Sequence, residues 1–213
     1  QLFNNPNLVP ESGWTSEFGV KYTFKLSNWK CYVDLVGFLM EYNNMMEFTF
    51  GSWGPIVSFP NNMGWGFRST NVGKTRISGY EFTFNGEGSL GNNWEIGLLS
   101  GYTWSNPISV YPDSIFAYSH PNVFTGDSIG YTYNILSSDT TGHYLKYRHR
   151  QTIRVDLEIT YKKTFSIGLS YQYNSKMDNI DAVFVDPLFE NTISGIPSSM
   201  ERLNHGIHLF DAR

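Results

Sequence analysis

From Trp14 to Leu26 the even positions read Trp, Ser, Phe, Val, Tyr, Phe, Leu, and the odd positions between them read Thr, Glu, Gly, Lys, Thr, Lys, Ser. A period of two sustained this long is the signature of a strand with one apolar and one polar face. Ser27-Asn28 reads as a tight turn. A second run, Trp29 to about Phe50, keeps Cys31, Val33, Leu35, Gly37 and Leu39 on one face. Its other face mixes Asp34 with Tyr32, Phe38 and Tyr42, so it is only partly sorted. A Gly-, Pro- and Asn-rich loop follows over 51–70. The third strand runs from near Val72 to Asn85, with a turn at 86–93. The fourth places Trp94, Ile96, Leu98, Tyr102 and Trp104 on one side. No period is visible over 105–144. Two well-sorted strands come next. Ile153, Val155, Leu157, Ile159 and Tyr161 alternate with polar residues, and after a turn at 162–164 so do Phe165, Ile167, Leu169, Tyr171 and Tyr173. A last irregular stretch, 175–205, precedes a seventh strand starting at Ile207.

The predicted fold class is therefore all-β, an antiparallel up-and-down meander of about six long strands. Its connections alternate short and long, with every short turn at one end. Most loops in compact domains span about 4 to 6 residues, which argues against a soluble sandwich. Outer-membrane barrels have this asymmetry, with short periplasmic turns, long extracellular loops and aromatic girdles around an apolar band. Trp14, Trp29, Tyr102, Trp104, Tyr161 and Tyr173 sit where such girdles would fall. An Arg at the lipid midplane costs about 2 to 4 kcal/mol, so Arg154, with Asp156 and Glu158, is expected to face the lumen. Six strands cannot close a barrel whose usual minimum is about eight, so the 213 residues read as a fragment.

Composition agrees with this reading. Aromatic residues make up 17% of the chain and charged residues only 16%, against roughly 25% charged in an ordinary domain. No apolar run of about 18 residues suggests a transmembrane helix. A net charge of −4 with scattered cations gives no footprint for nucleic acid. The single cysteine, Cys31, excludes an intramolecular disulfide and a multi-cysteine metal site.

Asn5-Pro-Asn-Leu-Val-Pro-Glu11, followed by an alternating strand, resembles the N-P-x-L-x-P-E segment of TonB-dependent outer-membrane receptors. Asn71-Val-Gly-Lys-Thr-Arg-Ile-Ser-Gly-Tyr-Glu81 resembles their N-x-G-x-x-x-x-x-G-x-E strand, and Tyr42-Asn-Asn-Met-Met-Glu47 matches the strand end between them. The resemblance implies one partial barrel domain over 1–213, belonging to a 22-stranded transmembrane barrel. The plug, the TonB-contacting box and the last strands fall outside these residues. It further implies import of a scarce ligand (ferric siderophore, haem, cobalamin or glycan) across the outer membrane of a Gram-negative bacterium. Energy would come from the TonB complex through the plug, and the expected partners are outer-membrane lipid and a small transported ligand. No enzyme activity, cofactor or resident metal is implied. The alternatives are a passive porin or adhesin-type barrel, and a secreted β-rich binding module or serine hydrolase.

The matched motifs are structural and transfer no ligand-binding residue, so candidate contacts come from loop chemistry. Trp53, Trp65, Phe67 and Arg68 combine aromatics with a cation, suited to stacking on a planar ligand, and packing within the loop accounts for them equally well. His143, Arg148, His149 and Arg150 could bind a metal or an anionic siderophore, or form a charged rim where a strand meets the outer surface. Asp178, Asp181 and Asp186 lack an EF-hand spacing and read as a solvated loop. Gly126-Asp-Ser-Ile-Gly130 fits the nucleophile elbow of serine hydrolases, with Asp139 and His143 following in order, yet Tyr131-Thr-Tyr-Asn-Ile135 is poor helix material for the turn that chemistry needs. Gly86-Glu-Gly-Ser-Leu-Gly91 fits a dinucleotide fingerprint in letters but is followed by a strand instead of a helix.

Overall fold

The computed structural model describes residues 1–55, 64–187 and 204–213. Its strands are β1 (Leu2–Phe3), β2 (Ser12–Leu26), β3 (Trp29–Asn43), β4 (Met46–Ser52), β5 (Trp65–Asn71), β6 (Thr75–Leu90), β7 (Trp94–Ser109), β8 (Ala117–Tyr118), β9 (Gly130–Tyr131), β10 (Gln151–Tyr161), β11 (Phe165–Asn174) and β12 (Ile207–Ala212). Seven of them form one antiparallel sheet in the order β12-β11-β10-β7-β6-β3-β2. Strands that follow one another along the sheet pair, as an up-and-down meander requires. The sheet is open, with β2 and β12 at its edges.

The register sorts the whole sheet into two faces. One row across it reads Tyr22, Val33, Phe84, Ser100, Val155, Tyr171, Phe210. The row one residue away reads Lys21, Asp34, Thr83, Gly101, Arg154, Gln172, Leu209. Because side chains alternate, these rows lie on opposite faces. Arg154 bonds Asp156 at 2.8 Å and Lys21 pairs with Asp34 at 3.4 Å on the polar face. The apolar face stays uncovered: Phe18, Val20, Tyr22, Phe165 and Phe210 are all more than half exposed. Rings meet at both its ends. Trp94 and Tyr161 lie 4.6 Å apart near the short turns, and Tyr80 and Trp104 lie 5.5 Å apart near the long connections. Trp94 and Trp104 are ten residues apart along β7, about 33 Å of strand. At a barrel tilt of about 45° that spans about 24 Å of height, matching the apolar band of an outer-membrane barrel.

Two of the short turns fall where the sequence places them, at 27–28 and 162–164, and the third is tighter than expected. β6 continues to Leu90, so the turn expected at 86–93 is confined to 91–93. Gly86 and Gly88 belong to the strand, where a Cβ on Gly88 would come within 2.6 Å of the Trp29 indole; their job is to seat that ring. At 162–164 both Lys162 and Lys163 have positive φ, the conformation a two-residue hairpin turn needs.

The long connections differ more from expectation. The second expected strand, Trp29 to about Phe50, breaks at Asn44, which has positive φ, and its tail becomes β4. The segment expected as a loop over 51–70 is largely a hairpin in which β4 pairs antiparallel with β5, while β1 adds parallel to β5. Phe48, Phe50 and Phe67 stack within that hairpin, and their periodicity was hidden among glycines. β7 extends to Ser109, and the irregular segment after it continues to Arg150 instead of stopping near 144. Parts of the expected loops 51–70 and 175–205 lie outside the described residues.

These connections fold over one side only. Met45, Val72, Tyr133 and Leu145 form a small buried core that packs on Tyr42 and Ile77. Tyr42 shares its face with Asp34 along β3, and Ile77 shares its face with Thr83 along β6. The loop cap therefore leans over the charged face and leaves the apolar face bare.

Candidate functional site: the loop cap

The cap is first fastened to the wall by backbone-directed side chains. Asn71 Oδ1 accepts the Val9 N–H at 3.0 Å, and its Nδ2 donates to the carbonyls of Val9 at 2.9 Å and Asn44 at 2.7 Å. Glu11 accepts the Met46 N–H, and Asn5 donates to the Ser69 carbonyl at 2.9 Å. The two sequence motifs that open with Asn5 and Asn71 thus interlock around the entry to β2.

At the cap's centre lies a buried charge cluster drawn from all three long connections. Lys146 and Asp181 side chains are both 2% exposed and pair at 2.7 Å. Glu47 of β4 lies 3.7 Å from the same ammonium. Tyr133 donates to Glu47 at 3.0 Å, and Tyr147 donates to Asp181 at 2.6 Å. The Tyr133 hydroxyl also accepts the Lys146 N–H at 2.9 Å. Burial pushes the Glu47 carboxyl above its ordinary pKa, against the pull of Lys146. Burial, reinforced by these carboxylates, raises both phenols, so they stay protonated donors. Positive φ at His143 and Tyr147 turns the chain on either side of Leu145-Lys146 and tucks that pair inward. Bulky residues rarely adopt this conformation, and here Tyr147 is held in it by Asp181.

The residues proposed from sequence fall into separate places. Trp53 and Arg68 come together: the guanidinium carbon sits 3.8 Å from the indole centroid. Trp53 is 7% exposed, bonds the Thr49 carbonyl at 3.2 Å and meets Tyr131 edge-on at 4.9 Å. It is packed within the loops as a platform under Arg68, the loop-internal arrangement of the two the sequence left open. Phe67 points to the opposite face of the hairpin, stacking with Phe48 and Phe184. Trp65 is 41% exposed at the start of β5. His143 bonds Asn134 at 3.1 Å, and His149 bonds the Ser175 carbonyl. Arg150 lies over Tyr144 at 4.1 Å and pairs with Asp178 at 3.4 Å. Arg148 is exposed. No hydrogen bond, ion pair or ring contact joins the first group to the second among the described residues.

The alternative chemistries find no geometry. Asp181 is taken by Lys146, and Asp178 by Arg150 and Lys176. Around Ser128, Gly126 has positive φ and Gly130 enters β9, so a strand follows where the elbow needs a helix. Asp139 accepts from Thr141 and Gly142 while His143 turns to Asn134, and no hydrogen bond joins Ser128, Asp139 and His143 among the described residues. Cys31 is buried on the apolar side of β3.

Sequence reading missed Glu47, Tyr133, Lys146 and Tyr147, and placed Asp181 in solvent. The available signal was the cation-rich stretch His143-Tyr-Leu-Lys-Tyr-Arg-His-Arg150, in which nothing local sets the buried lysine apart from its neighbours.

A meander with one bare apolar face, aromatic rows at both ends and loops folded over the charged face is a wall segment of a transmembrane β-barrel. The family model for the TonB dependent receptor-like β-barrel matches residues 1–197, and the chain belongs to that family. Its members are receptors and transporters of the Gram-negative outer membrane. No curated protein matches the chain.

Proposed function

We propose that this chain forms part of an active-transport receptor that imports a scarce ligand, a ferric siderophore, haem, cobalamin or glycan, with energy from the TonB complex. Residues 1–213 act as a partial barrel domain whose short turns face the periplasm and whose three long connections are extracellular. Coupling runs through a plug domain, which these residues do not include. The observation that carries the reading is the side on which the cap packs. In a closed barrel, loops folded over the charged face would narrow the mouth from the lumen side, which suits a gated receptor. The cap is then the region that meets ligand, and Arg68 is the candidate that combines a buried, unpartnered Nε with an aromatic ring beneath its guanidinium. The chain contributes binding and walls, with no catalytic residue.

The test is uptake in cells. Radiolabelled ferric siderophore, haem, cobalamin and a labelled oligosaccharide would be offered to cells with and without the gene. A proton uncoupler or loss of TonB should abolish the gene-dependent component. Uptake that persists under the uncoupler and rises linearly with concentration would establish the passive porin instead.

A further inference from the structure

The cations of the cap differ in one respect. Lys146, Arg150 and Lys74 each have a carboxylate, from Asp181, Asp178 and Glu41. Among the described residues Arg68 and Arg148 have none, and of these two Arg148 is exposed to solvent whereas Arg68 is half-buried. The Arg68 Nε is buried without a hydrogen-bond partner, and the Trp53 ring lies under its flat face. A buried donor left unpaired is destabilising, more so when charged, so an arrangement that keeps one invites an acceptor.

Arg68 lines a cleft of about 390 Å³ between the N-terminal segment, β5 and the strand β8, together with Asn7, Thr70, Phe116, Ala117 and Tyr118. Arg68 and Thr70 stand on the same face of β5, the face that the β8 side covers. Most other polar groups there are committed. Thr70 shares a hydrogen bond with Thr49 at 3.0 Å, Asn5 serves Ser69, and Asn71 serves Val9 and Asn44. The Asn7 amide and the Tyr118 hydroxyl have no side-chain partner among the described residues, so both can add to a bound polar group.

We infer that this cleft is a subsite for a carboxylate-bearing small ligand, with the Arg68 guanidinium, stacked on Trp53, as the group that accepts the carboxylate. The inference rests on the proposal that the cap meets transported ligand. A planar guanidinium offers two parallel N–H donors that match a carboxylate in its own plane. Stacking fixes that plane before ligand arrives, which lowers the ordering cost of binding. Arg68 is the single cation among the lining residues, so the cleft balances one negative charge. That favours a carboxylate over a phosphate dianion. The volume suits an organic acid or one acidic sugar ring.

The test uses protein labelled with 5-fluorotryptophan in detergent micelles, with the Trp53 resonance assigned by Trp53→Phe. Galacturonate, galactose, acetate and inorganic phosphate are titrated in turn. Galacturonate should shift the Trp53 resonance to saturation, galactose should not, acetate should act weakly, and the Trp104 resonance should stay still. Arg68→Gln should weaken galacturonate binding by about tenfold or more, as loss of a charge-assisted contact implies, and Arg68→Lys should retain part of it. Ala117→Leu, which fills the cleft and keeps the guanidinium, should also abolish the shift; it serves if Arg68→Gln disturbs the other indole resonances. Equal response to galactose and galacturonate, equal response to phosphate, or an unmoved Trp53 resonance would each overturn the assignment. Micelles contain no TonB and no energy source, so a negative result here leaves the uptake reading standing. A failed uptake experiment likewise leaves this binding result intact.

Discussion

The wall and the cap of this molecule solve opposite problems. In the wall, apolar residues are left outward: Phe18, Ile167 and Phe210 are each more than 60% exposed. Order there comes from backbone ladders that run unbroken across seven strands. In the cap, a lysine and an aspartate are driven inward and the hydrophobic core around them is four residues. The wall's outward side chains are stable only in a bilayer, whereas the cap's buried charges are stable only together. Lipid replaces the core in one region, and mutual charge compensation replaces it in the other. A single substitution should therefore act very differently in the two.

The largest effect should come from Lys146→Met. It leaves Asp181 and Glu47 buried without their cation, which costs about 3 to 5 kcal/mol for comparable buried pairs. Hydrogen exchange should speed up at the amides of Tyr147 and Ile180 while amides of β7 and β10 keep their protection. Unchanged exchange at Tyr147 would refute the keystone role. Leu157→Arg comes next. Leu157 pairs with Leu98 and Leu169 mid-height on the bare face, and its replacement should destabilise the vesicle-inserted protein by about 2 to 4 kcal/mol in urea titrations. Thr83→Arg on the charged face should cost far less. Equal losses would mean that the faces are assigned the wrong way round.

A third, pH-dependent effect isolates Glu47. Its folded pKa is raised above the ordinary 4.5. Below 4.5 the carboxyl is protonated in both folded and unfolded states and adds no penalty. As pH rises through the window between 4.5 and its raised value, the unfolded state ionises first, so its contribution to cap stability falls. Cap exchange rates should therefore increase with pH across that window, beyond the intrinsic chemical trend. Lys146, Asp181, Tyr133, Tyr147 and Arg148 surround the group, and none of the phenols ionises there. Glu47→Gln should remove the dependence; a slope that survives it belongs to another group. The smallest effect is expected from Asn71→Ala. Its three hydrogen bonds to exposed backbone should be worth about 1 kcal/mol together, read as faster protease cleavage within residues 1–11 and no change in the wall.

What could be read from the sequence follows the same division. The alternation in β10 and β11 located both strands to within two residues, because one face meets charge and the other meets lipid, and a one-residue slip would exchange every side chain between them. The interlocking of Asn5, Glu11 and Asn71 was visible only as two distant motifs. The β4–β5 hairpin was read as loop, since Gly51, Gly54, Gly64 and Gly66 conceal its phenylalanines. The glycines serve close packing: a Cβ on Gly66 would lie 2.2 Å from the Gln1 carbonyl oxygen, and one on Gly51 would lie 2.9 Å from Trp53. Among the candidate site residues, Trp53 and Arg68 do meet, while His143, His149 and Arg150 turn out to be occupied by neighbours.

The sequence by itself determined the long strands of the wall and their sorting into two faces, because period-two sorting is local and repeats at every second residue, and its motifs pointed to the family. Only the tertiary structure decided which side the loops cover, that Lys146 finds Asp181 thirty-five positions away, and that Arg68 finds no carboxylate among the described residues. Those outcomes depend on which charges the closing loops bring within about 4 Å of one another, and no local pattern encodes that.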